Sequence, residues 1–181
     1  ITSENLGQYY HDNVVLTEEM VKIPHKYFVF FSSVDVYQGG GQPHSEDESV
    51  QVDSIQSIYA TMKLISESVV QRGAKNFLIL RPTFLLGPYM RLNNLSRLFN
   101  DSHPTLTLDA SSLYNVIRYA DVLEFIRLAI ARRETGIINL ASVGSVSLAK
   151  IAEIAGKKAV FGNNHYETGN ISNKKAVLIS P

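Results

Sequence analysis

Tyr27-Phe28-Val29-Phe30-Phe31-Ser32-Ser33-Val34-Asp35-Val36-Tyr37 is apolar on both faces over its first five residues and turns polar at the serines. A strand covered by helices on both sides reads this way, because neither face meets water. Downstream, Ile55, Ile58, Tyr59, Met62, Ile65 and Val69 recur at intervals of three and four, which predicts a helix from about Ser54 to Arg72 with Gly73 at its stop. Asn76 to Leu80 is a second buried run leading into Arg81-Pro82, where a residue without an N–H ends the ladder. Strand, helix and strand in this order predict βα units around a parallel sheet, an α/β fold.

The rest of the chain extends the pattern. Residues 38–53 read as a polar loop, with Gly39-Gly40-Gly41 as a flexible connection. From Phe84 to Tyr114 the periodicity loosens, and Gly87-Pro88 and His103-Pro104 act as breakers. Irregular chain beyond strand ends is where such sheets bind ligands. Asp121 to Arg133 predicts a helix, Gly136 to Ala141 a strand, and Ser147 the cap of a short helix ending at Gly156. Val160-Phe161 suggests one more short strand, and 172–181 reads as an unfinished segment.

Bulk properties exclude several classes. Acidic and basic residues balance at 17 each, so no field steers nucleic acid or a membrane surface. With no cysteine there is no disulfide framework or thiolate metal site, which fits the cytoplasm. No apolar run of about 18 residues predicts a membrane span. His11, His25, His44, His103 and His165 never fall at ligand spacing and read as surface or loop residues. Glu18-Glu19 reads as a solvated helix face, and Arg132-Arg133 as cations at a helix C-terminus.

Chemistry concentrates on Tyr59 and Lys63, four apart and hence stacked on one helical face. A phenol is a poor base at neutral pH, and a close cation favours its ionised form. Ser32-Ser33, at a strand's carboxyl end, places hydroxyls where parallel sheets hold ligands.

Taken together, Ser32-Ser33-Val34-Asp35-Val36-Tyr37, Tyr59-Ala60-Thr61-Met62-Lys63, Arg81-Pro82 and Gly87-Pro88 resemble the extended short-chain dehydrogenase/reductases, the NAD-dependent epimerase/dehydratase family. Tyr9-Tyr10 before Asn13, Asp121-Val122, and Asn139 with Ser147-Leu148 are similar to further family segments, so the resemblance spans about residues 9–180. It implies the C-terminal part of a Rossmann-like, doubly wound parallel sheet plus a smaller, partly irregular substrate-binding region. Residues 1–83 would be the second half of the NAD(P)-binding domain. Residues 84–181 would be mixed: a substrate region at about 84–115 and 145–181, and returning Rossmann elements at about 116–142.

The resemblance also implies roles. Tyr59 would be the acid/base toward a sugar hydroxyl. Lys63 would lower the Tyr59 pKa and bond the nicotinamide ribose, and Ser33 would orient the reacting oxygen. Pro82 and Thr83 would line the nicotinamide side of a bound NAD or NADP, and Val34, Phe84 and Tyr114 would face the substrate. The expected activity is an epimerase or reductase of a nucleotide-activated sugar. Alternatives are a reductase of a small carbonyl compound, or a non-enzymatic interaction module. A homodimer through the helices around 9–23 and 54–72 is expected.

Departures from the family pattern are equally informative. The Gly-x-x-Gly-x-x-Gly turn that seats a pyrophosphate is absent, and the first residue is not Met, so the chain reads as N-terminally incomplete by about three βα units. Asn13 to Phe28 looks one helical turn short, with Pro24 interrupting it. The family's dehydratases carry Asp-Glu where this chain has Val34-Asp35, and a valine cannot protonate a leaving water. Phe84 stands where an Asn commonly helps hold the nucleotide-sugar in the family, and Tyr114 roughly where an Arg commonly contacts nucleotide or phosphate.

Overall fold

The computed structural model describes residues 5–37, 43–55 and 57–181, and within them three parallel strands run in the order β1 (Phe28–Phe31), β2 (Phe77–Pro82), β6 (Gly136–Leu140). Phe30 pairs with Ile79, and Leu80 with Ile138. β2 has neighbours on both edges, and its alternate side chains serve two cores. Leu78 and Leu80 pack with Val122, Phe125 and Ala129 of α5 (Tyr119–Arg132) and with Ala176 and Ile179 of α7 (Lys174–Ile179). Ile79 packs instead with Val70 of α3 (Ile58–Gly73), Val21 of α2 (Leu16–Lys22) and Ala74. Helices thus cover both faces of the sheet, which makes it doubly wound. β1 is only half-buried, because among the described residues its outer edge has no partner strand.

The helix before β1 is continuous but not uniform. α1 (Leu6–Tyr10) passes through a π turn at His11–Val15 into α2. The looser turn leaves the Asn13 carbonyl open, and the Thr17 hydroxyl (2.6 Å) and the Ser66 hydroxyl of α3 (2.9 Å) donate to it. Asn13 Nδ2 in turn donates to the Tyr9 carbonyl at 2.9 Å. Helix geometry ends at Lys22, before Pro24. Glu18 and Glu19 are exposed on this helix and meet Lys22.

A second core lies beyond the sheet. α4 (Asn94–Asn100) and α6 (Leu148–Ile154) contribute Leu95, Leu98, Leu148 and Ala152, which pack with Leu106 and Tyr114. Two short ladders frame it: β3 (Phe84–Leu86) parallel to β5 (Val116–Arg118), and β4 (Leu113–Tyr114) antiparallel to β7 (Val146–Ser147).

Several expectations need correction. The helix expected from Ser54 begins at Ile58, because Val52–Ser54 forms a separate 3-10 turn and the Ser57 hydroxyl caps the Ala60 N–H. The loose stretch from Phe84 contains α4, started by a capping box between Asn93 and Ser96. Val160-Phe161 is no strand, only a bridge from Val160 to Thr105. Residues 174–179 form α7, which packs on the sheet rather than in the second core. His44 is buried, stacked 5.1 Å from the Tyr37 ring with its Nδ1 2.9 Å from Glu48. The Gly39-Gly40-Gly41 connection lies outside the described residues. No described helix is long and apolar enough to cross a membrane.

Candidate active site

A cavity of about 590 Å³ opens beyond the carboxyl ends of β1 and β2, a size suited to a small-molecule ligand. The two strands end in Ser32-Ser33 and Pro82-Thr83, so both deliver their polar residues to its floor. Val34 and Asp35 follow Ser33 in a tight 3-10 turn, and the Ser33 hydroxyl accepts the Asp35 N–H at 3.2 Å. α3 lends Tyr59 and Lys63, and the π turn turns Asn13, with Tyr9 of α1, into the same space.

The position of α3 depends on a buried ion pair one turn past Lys63. Glu67 and Arg81, 1% and 3% exposed, are joined by two bonds: Nε to Oε1 at 2.8 Å and a terminal nitrogen to Oε2 at 2.6 Å. Arg81 also donates to the Tyr37 hydroxyl at 2.8 Å, which donates to Asn139 Oδ1 at 2.9 Å. Such a pair is worth keeping only when its charged atoms find partners, and here each Arg81 nitrogen and each Glu67 carboxylate oxygen has one. The network ties α3, β2, β6 and the turn after the serines into one frame.

Seven of the eight residues singled out from sequence line the cavity: Ser33, Val34, Tyr59, Lys63, Pro82, Thr83 and Phe84. Tyr114 does not. It is 3% exposed, packed edge-on against Phe84 at 5.2 Å and against Tyr166 at 5.1 Å, and burial pushes its phenol up to about 12. Tyr114 belongs to the second core because β4 turns it inward, and Tyr166 reaches the cavity instead. Thr83 spends both its N–H (2.9 Å) and its hydroxyl (3.2 Å) on the Leu140 carbonyl, which pins β2 to β6.

Lys63 also differs from expectation. Its ammonium donates to the Phe31 carbonyl at 2.9 Å and lies 5.2 Å from the Phe30 ring centre and 5.6 Å from that of Tyr59. It therefore sits over the ring rather than at the phenol oxygen. Burial and the nearby Asp35 carboxylate push the Tyr59 phenol up, while Ser33 and Arg91 pull the other way. Burial, with Arg91 behind it, pushes the Lys63 ammonium down.

Sequence reasoning missed Arg91, which lines the cavity from the exposed loop after β3 and has no carboxylate partner among the described residues. Its only sequence signal is its place just past Gly87-Pro88, beyond a strand's carboxyl end. Tyr9, Asn13, Tyr119 and Tyr166 also enter unannounced, each from a different element.

Two features test whether a nicotinamide nucleotide suits this cavity. The Ser32 hydroxyl is buried at the cavity wall without a hydrogen-bond partner, a polar atom left for a ligand. Lys63 has used one of its three donors on Phe31. Both fit the ribose end of such a group. No glycine-rich turn for the pyrophosphate occurs in the sequence. No described cluster of His, Asp or Glu could hold a metal ion.

Comparison with known proteins agrees with this architecture. The family model described as NAD dependent epimerase/dehydratase family matches residues 2–141. No curated protein matches the sequence. Among solved structures, UDP-glucuronic acid 4-epimerase from Bacillus cereus in complex with NAD superposes with TM-score 0.79 at 19% identity, over 100% of this chain and 66% of that one. A dTDP-4-dehydrorhamnose reductase from Clostridium acetobutylicum gives 0.80 at 16%, over 98% and 68%. dTDP-glucose 4,6-dehydratase from Bacillus anthracis in complex with NAD gives 0.77 at 17%, over 95% and 62%. The chain thus spans about two thirds of their length, and identities this low speak for the fold alone.

Proposed function

Because the chain belongs to the NAD dependent epimerase/dehydratase family, we propose that it is the catalytic portion of an NAD(P)-dependent epimerase or reductase acting on a nucleotide-activated sugar. The observation that carries this reading is the convergence of Ser33, Tyr59 and Lys63 on one cavity at the strand ends. The neighbours of like fold, two of them crystallised with NAD and all three named for UDP- or dTDP-sugars, support it.

In this reading Ser33 hydrogen-bonds the reacting oxygen of the sugar and Tyr59 exchanges a proton with it at the phenol oxygen. Lys63 and Ser32 hold the ribose end of the cofactor, with Pro82 and Thr83 as its wall. When bound, the nicotinamide supplies hydride exchange with the carbinol carbon. Arg91, a rim cation with no carboxylate partner among the described residues, meets an anionic group of the substrate, a diphosphate or a sugar carboxylate. Val34 offers no acid for water loss, which disfavours dehydration.

We also propose a homodimer. Ile58, Met62, Ile65 and Val69 form a stripe along α3 at helical spacing, with Ile58 and Ile65 exposed, and Tyr10 of α1 and Met20 of α2 are exposed nearby in sequence on the adjoining helix. A groove between the helices, lined by Tyr10, Val14, Ile65 and Val69, is left open among the described residues.

The functional test is turnover of UDP-glucuronic acid, UDP-glucose and dTDP-sugars by the complete protein with NAD or NADPH, followed by chromatography of the nucleotide-sugars. Tyr59→Phe should lose turnover at least about 100-fold, since one proton-transferring hydroxyl is removed, and should bind cofactor nearly as before. Equal loss of both would make Tyr59 structural and sink the proposal.

A further inference from the structure

Residues 87–93 run along the rim of the cavity, between β3 and α4, and are fastened at both ends. At the first, Gly87 lies flush against the Tyr119 ring, where a Cβ would run into that ring. At the second, Asn93 caps α4, and its Nδ2 donates to the Arg91 carbonyl at 2.6 Å. Among the described residues, no other hydrogen bond ties residues 88–92 to another element. Chain held so sparsely moves at little cost.

The side chains between the two fastenings are divided. Tyr89 is fully exposed and Leu92 is 77% exposed, while Met90 and Arg91 between them line the cavity. Tyr89 also has φ 65°, a left-handed backbone that glycine adopts freely and an aromatic residue adopts at a cost. It follows Gly87-Pro88, and in turns where a positive φ comes after proline, glycine or asparagine usually takes that place. With the ring wholly in water, no packing within the described chain offsets the cost. Strain of this kind points to a functional segment.

We propose that residues 87–93 are a strap that closes on the bound nucleotide-sugar, with Arg91 taking the diphosphate and the Tyr89 ring leaving water to lie against the ligand. The inference rests on the reading that the substrate is a nucleotide-sugar. A ligand moves such a segment only through contacts made in one of its two positions. Closing gives a charge-assisted bond to a cation that has no carboxylate partner among the described residues. It also removes an aromatic ring from water, and the open position is the one that carries the backbone strain. A small anionic ligand is favoured over a second copy of the chain as what covers the ring, because Met90 and Arg91, next to Tyr89, line the cavity. Gly87 and Asn93 are the pivots.

Tyr89→Trp in the complete protein with NAD+ gives the strap a reporter, because residues 1–181 hold no tryptophan and the parent's emission can be subtracted. Without nucleotide the new indole should emit as a solvated one. UDP should move its emission to shorter wavelength and saturate the change, and adding Arg91→Ala should raise the half-saturating UDP concentration roughly 10-fold or more. Tyr89→Gly separates this role from a structural one. Glycine accepts the left-handed turn, so the ligand-free variant should melt no lower than the parent. Its KM for the nucleotide-sugar should nonetheless rise roughly 10-fold, with kcat much less affected. An unchanged KM overturns the strap. So does an indole that stays solvated while calorimetry registers UDP binding. An indole already buried in the ligand-free protein overturns it too, since another part of the protein or a second copy then covers the ring. A complete protein that neither binds UDP nor turns over any UDP- or dTDP-sugar removes instead the reading beneath the strap.

Discussion

Arg91 and Glu67 are both charged, and their surroundings give them opposite work. Arg91 is exposed at the cavity rim with no carboxylate partner among the described residues, so removing it costs the fold little. Arg91→Ala should raise KM for a nucleotide-sugar roughly 10- to 100-fold, the worth of a charge-assisted hydrogen bond, with kcat much less affected in steady-state assays. Glu67 is sealed against Arg81. Glu67→Ala strands a buried guanidinium and should cost about 3–5 kcal/mol, read as a lower denaturant midpoint. It should also loosen α3, one turn from Lys63.

α4 shows how one short element controls access to the site. The Asn93 side chain accepts the Ser96 N–H at 3.0 Å, and its Nδ2 donates to the Arg91 carbonyl at 2.6 Å. A single residue thus starts the helix and holds the loop that carries the rim cation. Asn93→Ala should cost about 1 kcal/mol of stability by thermal unfolding, the usual loss for an N-cap. It should also weaken substrate binding through Arg91. The π turn between α1 and α2 works similarly, because its freed carbonyl docks on Ser66 of α3 while Asn13 faces the cavity.

For the molecule as a whole, two cores meet at the cavity: the sheet with α2, α3, α5 and α7, and the smaller cluster around α4 and α6. The helices bearing Tyr59 and Tyr9 also carry the exposed apolar stripe, so the proposed assembly through them would brace one wall of the cavity. Ile65→Arg places a charge in that stripe and should convert the proposed dimer to monomer in sedimentation velocity, with the far-ultraviolet spectrum unchanged. A parent protein that sediments as a monomer at the same concentration would end the dimer proposal.

Local pattern determined much of this protein. β1, β2, α3, α5 and β6 were legible because apolar spacing depends only on neighbours in the chain. The stacking of Tyr59 and Lys63 was legible for the same reason, since residues four apart on a helix share a face. The tertiary structure decided what those side chains meet. Lys63 turns to the Phe31 carbonyl, Tyr114 is buried while Tyr166 is not spent on the core alone, and α7 packs on the sheet. Each of these is a contact between residues distant in sequence, or a choice of which face turns inward. Neither has a local signature, because the energy that selects it is the burial and hydrogen bonding of the assembled fold.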